Sequence, residues 1–178
     1  MINRSVPGYP LLLDMIGQLT AKYAQINSNC YDLGCSLGAS TLKIRQQLPA
    51  SCHVIGIDNS AAMVERCRTN ISRDNSQASI EIREETMQTT DITNASIVVL
   101  NFTLQFIPDD QRQDLLARIA TNMRPGGAMI LSEKICFEDA SQQTHMTTLH
   151  HDFKRHHGYS DLEIAQKRAA LENVLMPN

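Results

Sequence analysis

Residues Asn29–Ser40 read NCYDLGCSLGAS, and the stretch admits two incompatible readings. Gly34-Cys35-Ser36-Leu37-Gly38 fits G-x-S-x-G, the sharp strand-to-helix turn that presents a nucleophilic serine in α/β-hydrolases. Asp32-Leu33-Gly34 followed by Gly38 instead fits an acidic residue and a glycine loop that lets backbone approach a nucleotide-like cofactor.

The surroundings separate the two. A hydrolase elbow takes an oxyanion donor from an earlier loop, and its triad partners follow in the order serine, acid, histidine. Here the candidate serine follows the first strand of the sheet, and His145, His150, His151, His156 and His157 crowd one polar helical region. The cofactor reading asks for an acidic residue at the end of the second strand, about 20 residues on, to accept hydrogen bonds from ribose hydroxyls. Asp58 closes the segment HVIGID, 24 positions after Gly34. Its alternative role, capping a helix begun at Ser60, is compatible with ligand contact. Ser36 stands where a dinucleotide fingerprint has its middle glycine, which favours a ligand without phosphate.

Outward from this loop, apolar runs of strand length alternate with segments of helical period, the pattern of parallel strands joined by crossover helices. Strands are expected at Cys30–Leu33, His53–Ile57, Ile80–Arg83, Ile97–Phe102 and Ala128–Ser132, with helices at Ser40–Gln47, Ala61–Asn70 and Asp110–Asn122. The last carries an apolar stripe of Leu115, Leu116, Ile119 and Met123, with Asp109 or Asp110 as N-cap and a breaker at Arg124-Pro125-Gly126-Gly127. A further helix is expected over Tyr9–Tyr23, and two more after the last strand. The fold class is α/β, a doubly wound, mainly parallel Rossmann-like sheet. One domain is expected over residues 1–178, with an N-terminal helical segment at 1–28 and a C-terminal helical lid at 137–178.

The 178 residues carry a net charge of -3 and no Lys/Arg run, which argues against a nucleic-acid footprint. Five cysteines without a C-x-x-C pair read as reduced thiols rather than a disulfide framework or zinc ribbon. No run is long and apolar enough for a membrane span, and a cytoplasmic location is expected. The His-rich segment lacks H-E-x-x-H spacing, so no metal is expected, and the methionines Met15, Met63, Met123, Met129 and Met146 read as core fillers.

Several segments carry a family resemblance. The Asp32–Gly38 loop, Gly56-Ile57-Asp58-Asn59-Ser60 with Met63, and Arg124-Pro125-Gly126-Gly127 before a strand resemble class I S-adenosylmethionine-dependent methyltransferases. More narrowly, Arg4-Ser5-Val6-Pro7-Gly8-Tyr9, Leu100-Asn101-Phe102-Thr103-Leu104-Gln105-Phe106, Leu131-Ser132-Glu133-Lys134 and His150-His151-Asp152-Phe153-Lys154-Arg155 through Gly158-Tyr159-Ser160 resemble the carboxy-S-adenosyl-L-methionine synthase family. The resemblance runs nearly end to end. It implies conversion of S-adenosylmethionine and prephenate to carboxy-S-adenosylmethionine, phenylpyruvate and water, the product serving a separate tRNA wobble-uridine carboxymethyltransferase. Implied too are a ylide at the sulfonium methyl that captures the carbon dioxide lost by prephenate, and a homodimer without direct nucleic-acid or membrane contact.

The resemblance also assigns roles. Gly34, Cys35 and Ser36 would cradle the amino-acid part of S-adenosylmethionine, Asp58 and Asn59 the ribose and adenine edge, and Asn101 the amino group or sulfonium. Tyr9 would contact the ligand from the N-terminal segment, and Arg168 would grip the new carboxylate with its fork. Thr86 and Met87 stand where the family has an aspartate and an isoleucine against adenine; Thr86 lacks that carboxylate, unless Glu85 supplies it through a shifted turn. The family also has segments before Met1 and after Asn178, the latter with the last two strands, so Ala128–Ser132 is expected as an open edge. Two alternatives stay open: a small-molecule methyltransferase with the same pocket, and a non-catalytic cofactor-binding fragment.

Overall fold

The computed structural model describes residues 2–171; the final seven residues of the expected lid lie outside them. After a 3-10 turn at Ile2–Arg4, the chain runs α1 (Tyr9–Tyr23), β1 (Asn29–Leu33), α2 (Ala39–Arg45), β2 (His53–Asp58), α3 (Ala61–Ile71), β3 (Ser79–Glu84) and β4 (Ala95–Asn101). It continues through a 3-10 turn at Leu104–Phe106, α4 (Asp109–Asn122), β5 (Met123–Ser132), α5 (Ala140–His156) and α6 (Asp161–Leu171). The strands form one parallel sheet in the order β3-β2-β1-β4-β5.

The core follows from the period of two along each central strand. Tyr31, Leu33, Ile55, Ile57, Val98 and Leu100 join Leu115 and Ile119 of α4 in one apolar cluster. Cys30, Val54, Ile97 and Val99, the alternate residues, join Ile16 of α1 and Ile44 of α2 in another on the opposite face. A strand sandwiched between two helical layers buries both faces, which is why these segments read as unbroken apolar runs. Reversal of strand order lies between β1 and β4, and open α/β sheets take ligands at the carboxyl ends of such strands.

Three expectations are corrected. Neither Asp109 nor Asp110 caps α4: Pro108 occupies the N-cap without a side-chain bond, and Asp109 instead pairs with Arg112 at 2.8 Å. The Arg124–Gly127 breaker ends the helix but does not precede the strand. β5 already begins at Met123, paired with Ala95, and the register jumps so that Ile97 meets Ala128; Gly126 absorbs part of this bulge at a φ of 80°. The methionines are not uniformly core fillers either. Met15, Met129 and Met146 are 50%, 38% and 42% exposed, because Met15 lies on the outer side of α1, Met129 on the sheet-edge strand and Met146 on a helix without buried residues. Met123 packs against the first apolar cluster.

Four cysteines are buried and Cys136 is exposed. No helix of the described residues is long and apolar enough to cross a membrane.

Candidate functional site

A cavity of about 580 Å³ opens at the carboxyl ends of β1, β2 and β4. Gly34, Ser36, Asp58, Asn59, Met87 and Asn101 line it, together with Ile2, Met63, Glu85, Phe102, Thr103 and Gln105 among others. Its size suits a nucleoside-sized ligand.

The loop after β1 is held by the end of β2. The backbone N–H groups of Gly34 and Cys35 both donate to the Ile57 carbonyl at 2.8 Å, which turns the chain back over the sheet. Gly34 has a φ of 82°, and a Cβ there would sit 2.2 Å from Thr103 Cγ2. Only glycine satisfies both demands. Ser36, at a φ of 48°, donates its N–H to Asp58 Oδ2 at 2.9 Å, and Asp58 Oδ1 accepts from Ser60 N at 3.0 Å. Asp58 thus clamps the glycine loop to the start of α3, with its carboxylate still facing the cavity. Phe102 is a second non-glycine residue in left-handed conformation, at a φ of 59°. Of the non-glycine residues at positive φ, Asn27 and Asn94 are of a type that tolerates this region, whereas Ser36 and Phe102 are not and both line the cavity.

Asn101 shows what the cavity accepts. Its Nδ2 donates to Ser40 Oγ at 2.9 Å, which leaves Oδ1 as a buried acceptor without a partner. Thr103 Oγ1 and Gln105 Oε1 are buried and unpaired in the same wall. Unpaired buried acceptors cost about 1–3 kcal/mol each, and an ammonium or hydroxyl donor from a ligand removes that cost. The donor set therefore fits S-adenosylmethionine: acceptors for its amino group, a carboxylate for its ribose and a methionine wall for its adenine.

Of the other expected residues, Cys35 lies beneath the loop, its thiol 3.2 Å from where a Gly56 Cβ would be. Its ionisation is driven upward by its hydrogen bond with Cys67, then by burial and the Asp32 carboxylate. It contributes backbone, not a nucleophile. Tyr9 is buried behind the wall, its ring 6.5 Å from that of Phe102. Burial and then Asp32 push its phenol above the usual range, with Asn101 acting the other way. Glu85, rather than Thr86, lines the cavity, with its carboxylate accepting from Thr90 Oγ1 at 3.0 Å. Arg168 is exposed on α6 and is not among the lining residues. Ile2 and Gln105 are additions that the sequence reading did not assign to the site, while Glu85 stands where the sequence reading had offered it as the alternative to Thr86. Gln105 had a signal in the quoted stretch after β4, whereas Ile2 had none, because only the fold of the N-terminal turn brings it there.

Asp32, behind the loop, is fully buried, and its carboxyl is pushed up to about 6 by that burial. The Thr41 hydroxyl, donating to it at 2.5 Å, opposes the shift.

Residues 31–127 match a family model described as a methyltransferase domain. Among solved structures, the cyclopropane synthase MmaA2 from Mycobacterium tuberculosis aligns with a TM-score of 0.61 at 16% identity, over 75% of this chain and 46% of that one. The mycolic acid cyclopropane synthase CmaA1, complexed with SAH and CTAB, aligns with a TM-score of 0.56 at 14% identity, over 66% of this chain and 40% of that one. At such identities the likeness speaks for the fold alone. Two curated relatives are far closer in sequence, both named carboxy-S-adenosyl-L-methionine synthase. That of Hahella chejuensis is 62% identical over 99% of this chain and 74% of its own length; that of Marinobacter nauticus is 53% identical over 99% and 71%. With the glycine loop, the Asp58 clamp and the class I sheet order in place, this chain belongs to the carboxy-S-adenosyl-L-methionine synthase family.

Proposed function

We propose that the protein converts S-adenosylmethionine and prephenate to carboxy-S-adenosylmethionine, phenylpyruvate and water. The observation that carries this reading is the 62% identity to a carboxy-S-adenosyl-L-methionine synthase across 99% of the chain. S-adenosylmethionine supplies the sulfonium methyl carbon, and prephenate the carbon dioxide that it acquires. The residues of this chain bind and orient. Gly34 and Ser36 bring the loop against the amino-acid part, Asp58 accepts from ribose, Met87 and Glu85 meet the adenine edge, and Asn101 Oδ1 accepts from the amino group. Phe102, Phe106 and Ile107 line the same cavity and exclude water, which keeps carbon dioxide and hydroxide from escaping before they react. Arg168 anchors the new carboxylate when α6 closes as a lid over the single domain.

In the same reading the enzyme works as a cytoplasmic homodimer, and its product feeds a tRNA wobble-uridine carboxymethyltransferase. Mass spectrometry of the nucleoside formed from S-adenosylmethionine and prephenate tests the reaction. A carboxylated sulfonium is the expected product. S-adenosylhomocysteine accompanied by a methylated acceptor would make the protein an ordinary methyltransferase, and no product at all would leave it a cofactor-binding fragment.

A further inference from the structure

The turn that follows β3 carries part of the cavity wall. Thr89 N donates to the Thr86 carbonyl at 3.0 Å, which closes a four-residue turn with Met87 and Gln88 at its central positions, and both line the cavity. Thr90 N donates to the same carbonyl at 3.0 Å. Glu85, one residue before the turn, is tied back to the end of β2, its N–H donating to the Asp58 carbonyl at 3.1 Å. The Met87 carbonyl belongs to the peptide between the two central positions, the one that points oppositely in type I and type II turns. Its direction therefore sets where the two wall side chains point.

Arg118 of α4 holds that peptide. Its Nη2 donates to the Met87 carbonyl at 2.6 Å and its Nη1 to the Thr90 carbonyl. A planar guanidinium keeps two acceptors in fixed relation, which a single ammonium cannot do. Thr90 is buried, at 2% exposure, and its hydroxyl lies 3.0 Å from Glu85 Oε2 and 3.1 Å from the Thr86 carbonyl. The hydroxyl has one proton for these two acceptors, and the carboxylate is the stronger of them. Glu85 is thus fixed at both ends, by its own N–H and by its carboxylate, while that carboxylate keeps lone pairs for a ligand.

We propose that Arg118 and Thr90 are positioning residues for the base end of the cavity: Arg118 fixes the turn that carries Met87 and Gln88, Thr90 fixes the Glu85 carboxylate, and together they make the site select a base with an exocyclic amino group. Neither residue lines the cavity, so both act through their neighbours. The inference rests on the reading that the cavity takes S-adenosylmethionine and is independent of the carboxylation step. A site arranged to hydrogen-bond an N–H of its ligand rejects the analogue that lacks it, because the buried acceptor is then left unpaired.

Calorimetric titration of the full chain with S-adenosylhomocysteine, and with its analogue bearing hydrogen in place of the 6-amino group, tests the arrangement. Wild type should prefer S-adenosylhomocysteine about 10- to 100-fold, the difference expected for one charge-assisted bond. Thr90→Val, close to isosteric, should reduce that preference about threefold or more, and Thr90→Ser should keep it. Arg118→Met should reduce it likewise, with only part recovered by Arg118→Lys; if Arg118→Met does not fold, Arg118→Lys takes its place. A contact that merely braced the fold would weaken both ligands alike. A preference within twofold of wild type in Thr90→Val, or in Arg118→Met, would overturn the role of that residue, whether or not overall affinity fell. A wild type that binds both ligands equally would overturn the selection and leave the cofactor reading standing, whereas a wild type that binds neither would sink the cofactor reading itself.

Discussion

Replacing Asp58 by alanine separates the two roles that its carboxylate holds. Oδ2 accepts the Ser36 N–H at 2.9 Å and Oδ1 the Ser60 N–H at 3.0 Å. Each is a backbone donor to a charged acceptor, worth about 1.5–3 kcal/mol. A carboxylate has roughly four lone-pair sites, so two remain for ribose hydroxyls. The alanine variant should therefore bind S-adenosylmethionine about 10- to 100-fold more weakly. The ligand-free protein should also lose stability, because Ser36 is held at a φ of 48° against its own preference. Asp58→Asn keeps one carbonyl acceptor and should fall between. Calorimetry with S-adenosylmethionine reads the first effect, and thermal unfolding without ligand the second. If the alanine variant unfolds earlier yet binds the cofactor within twofold of wild type, Asp58 only ties the loop to α3 and the ribose assignment is refuted.

Gly34→Ala should abolish cofactor binding, since the new Cβ would lie 2.2 Å from Thr103 Cγ2 at a φ of 82°; calorimetry on the variant, and on its combination with Thr103→Ser, should show partial return only in the pair. Burial pushes the Asp32 carboxyl up to about 6 in the folded protein, from about 3.8 for the free side chain. The unfolded chain thus binds fewer protons between these values, and the stability due to this group falls as pH rises from about 4 to 6, by roughly 3 kcal/mol in all. Denaturant unfolding of wild type and Asp32→Asn should show the difference between them shrinking over that range, and a flat difference would contradict the burial argument. Arg168→Ala should weaken carboxy-S-adenosylmethionine about 10- to 100-fold and leave plain S-adenosylmethionine nearly unchanged, with only part recovered by Arg168→Lys; paired titrations check it, and equal weakening of both ligands would make Arg168 structural.

What the sequence determined by itself was local. Helix α1 falls on Tyr9–Tyr23 as its apolar spacing predicts, and the central strands β1, β2 and β4 lie where the apolar runs are, because a parallel strand buried on both faces has no polar side to disguise it. A glycine loop followed by Asp58 at the end of the second strand was visible in the sequence, and the structure brings the two together at one cavity. The tertiary structure decided what depends on neighbours distant in sequence. Glu85 faces the cavity in place of Thr86, Ile2 reaches it from the N-terminal turn, and the strand β5 pairs from Met123 through a bulge that its own residues do not announce. Lys167 looks in sequence like any solvated charge. Its bond to Ser5 Oγ at 2.9 Å, across 162 residues, exists only once the chain is folded, because a hydrogen bond depends on distance in space and not on spacing along the chain.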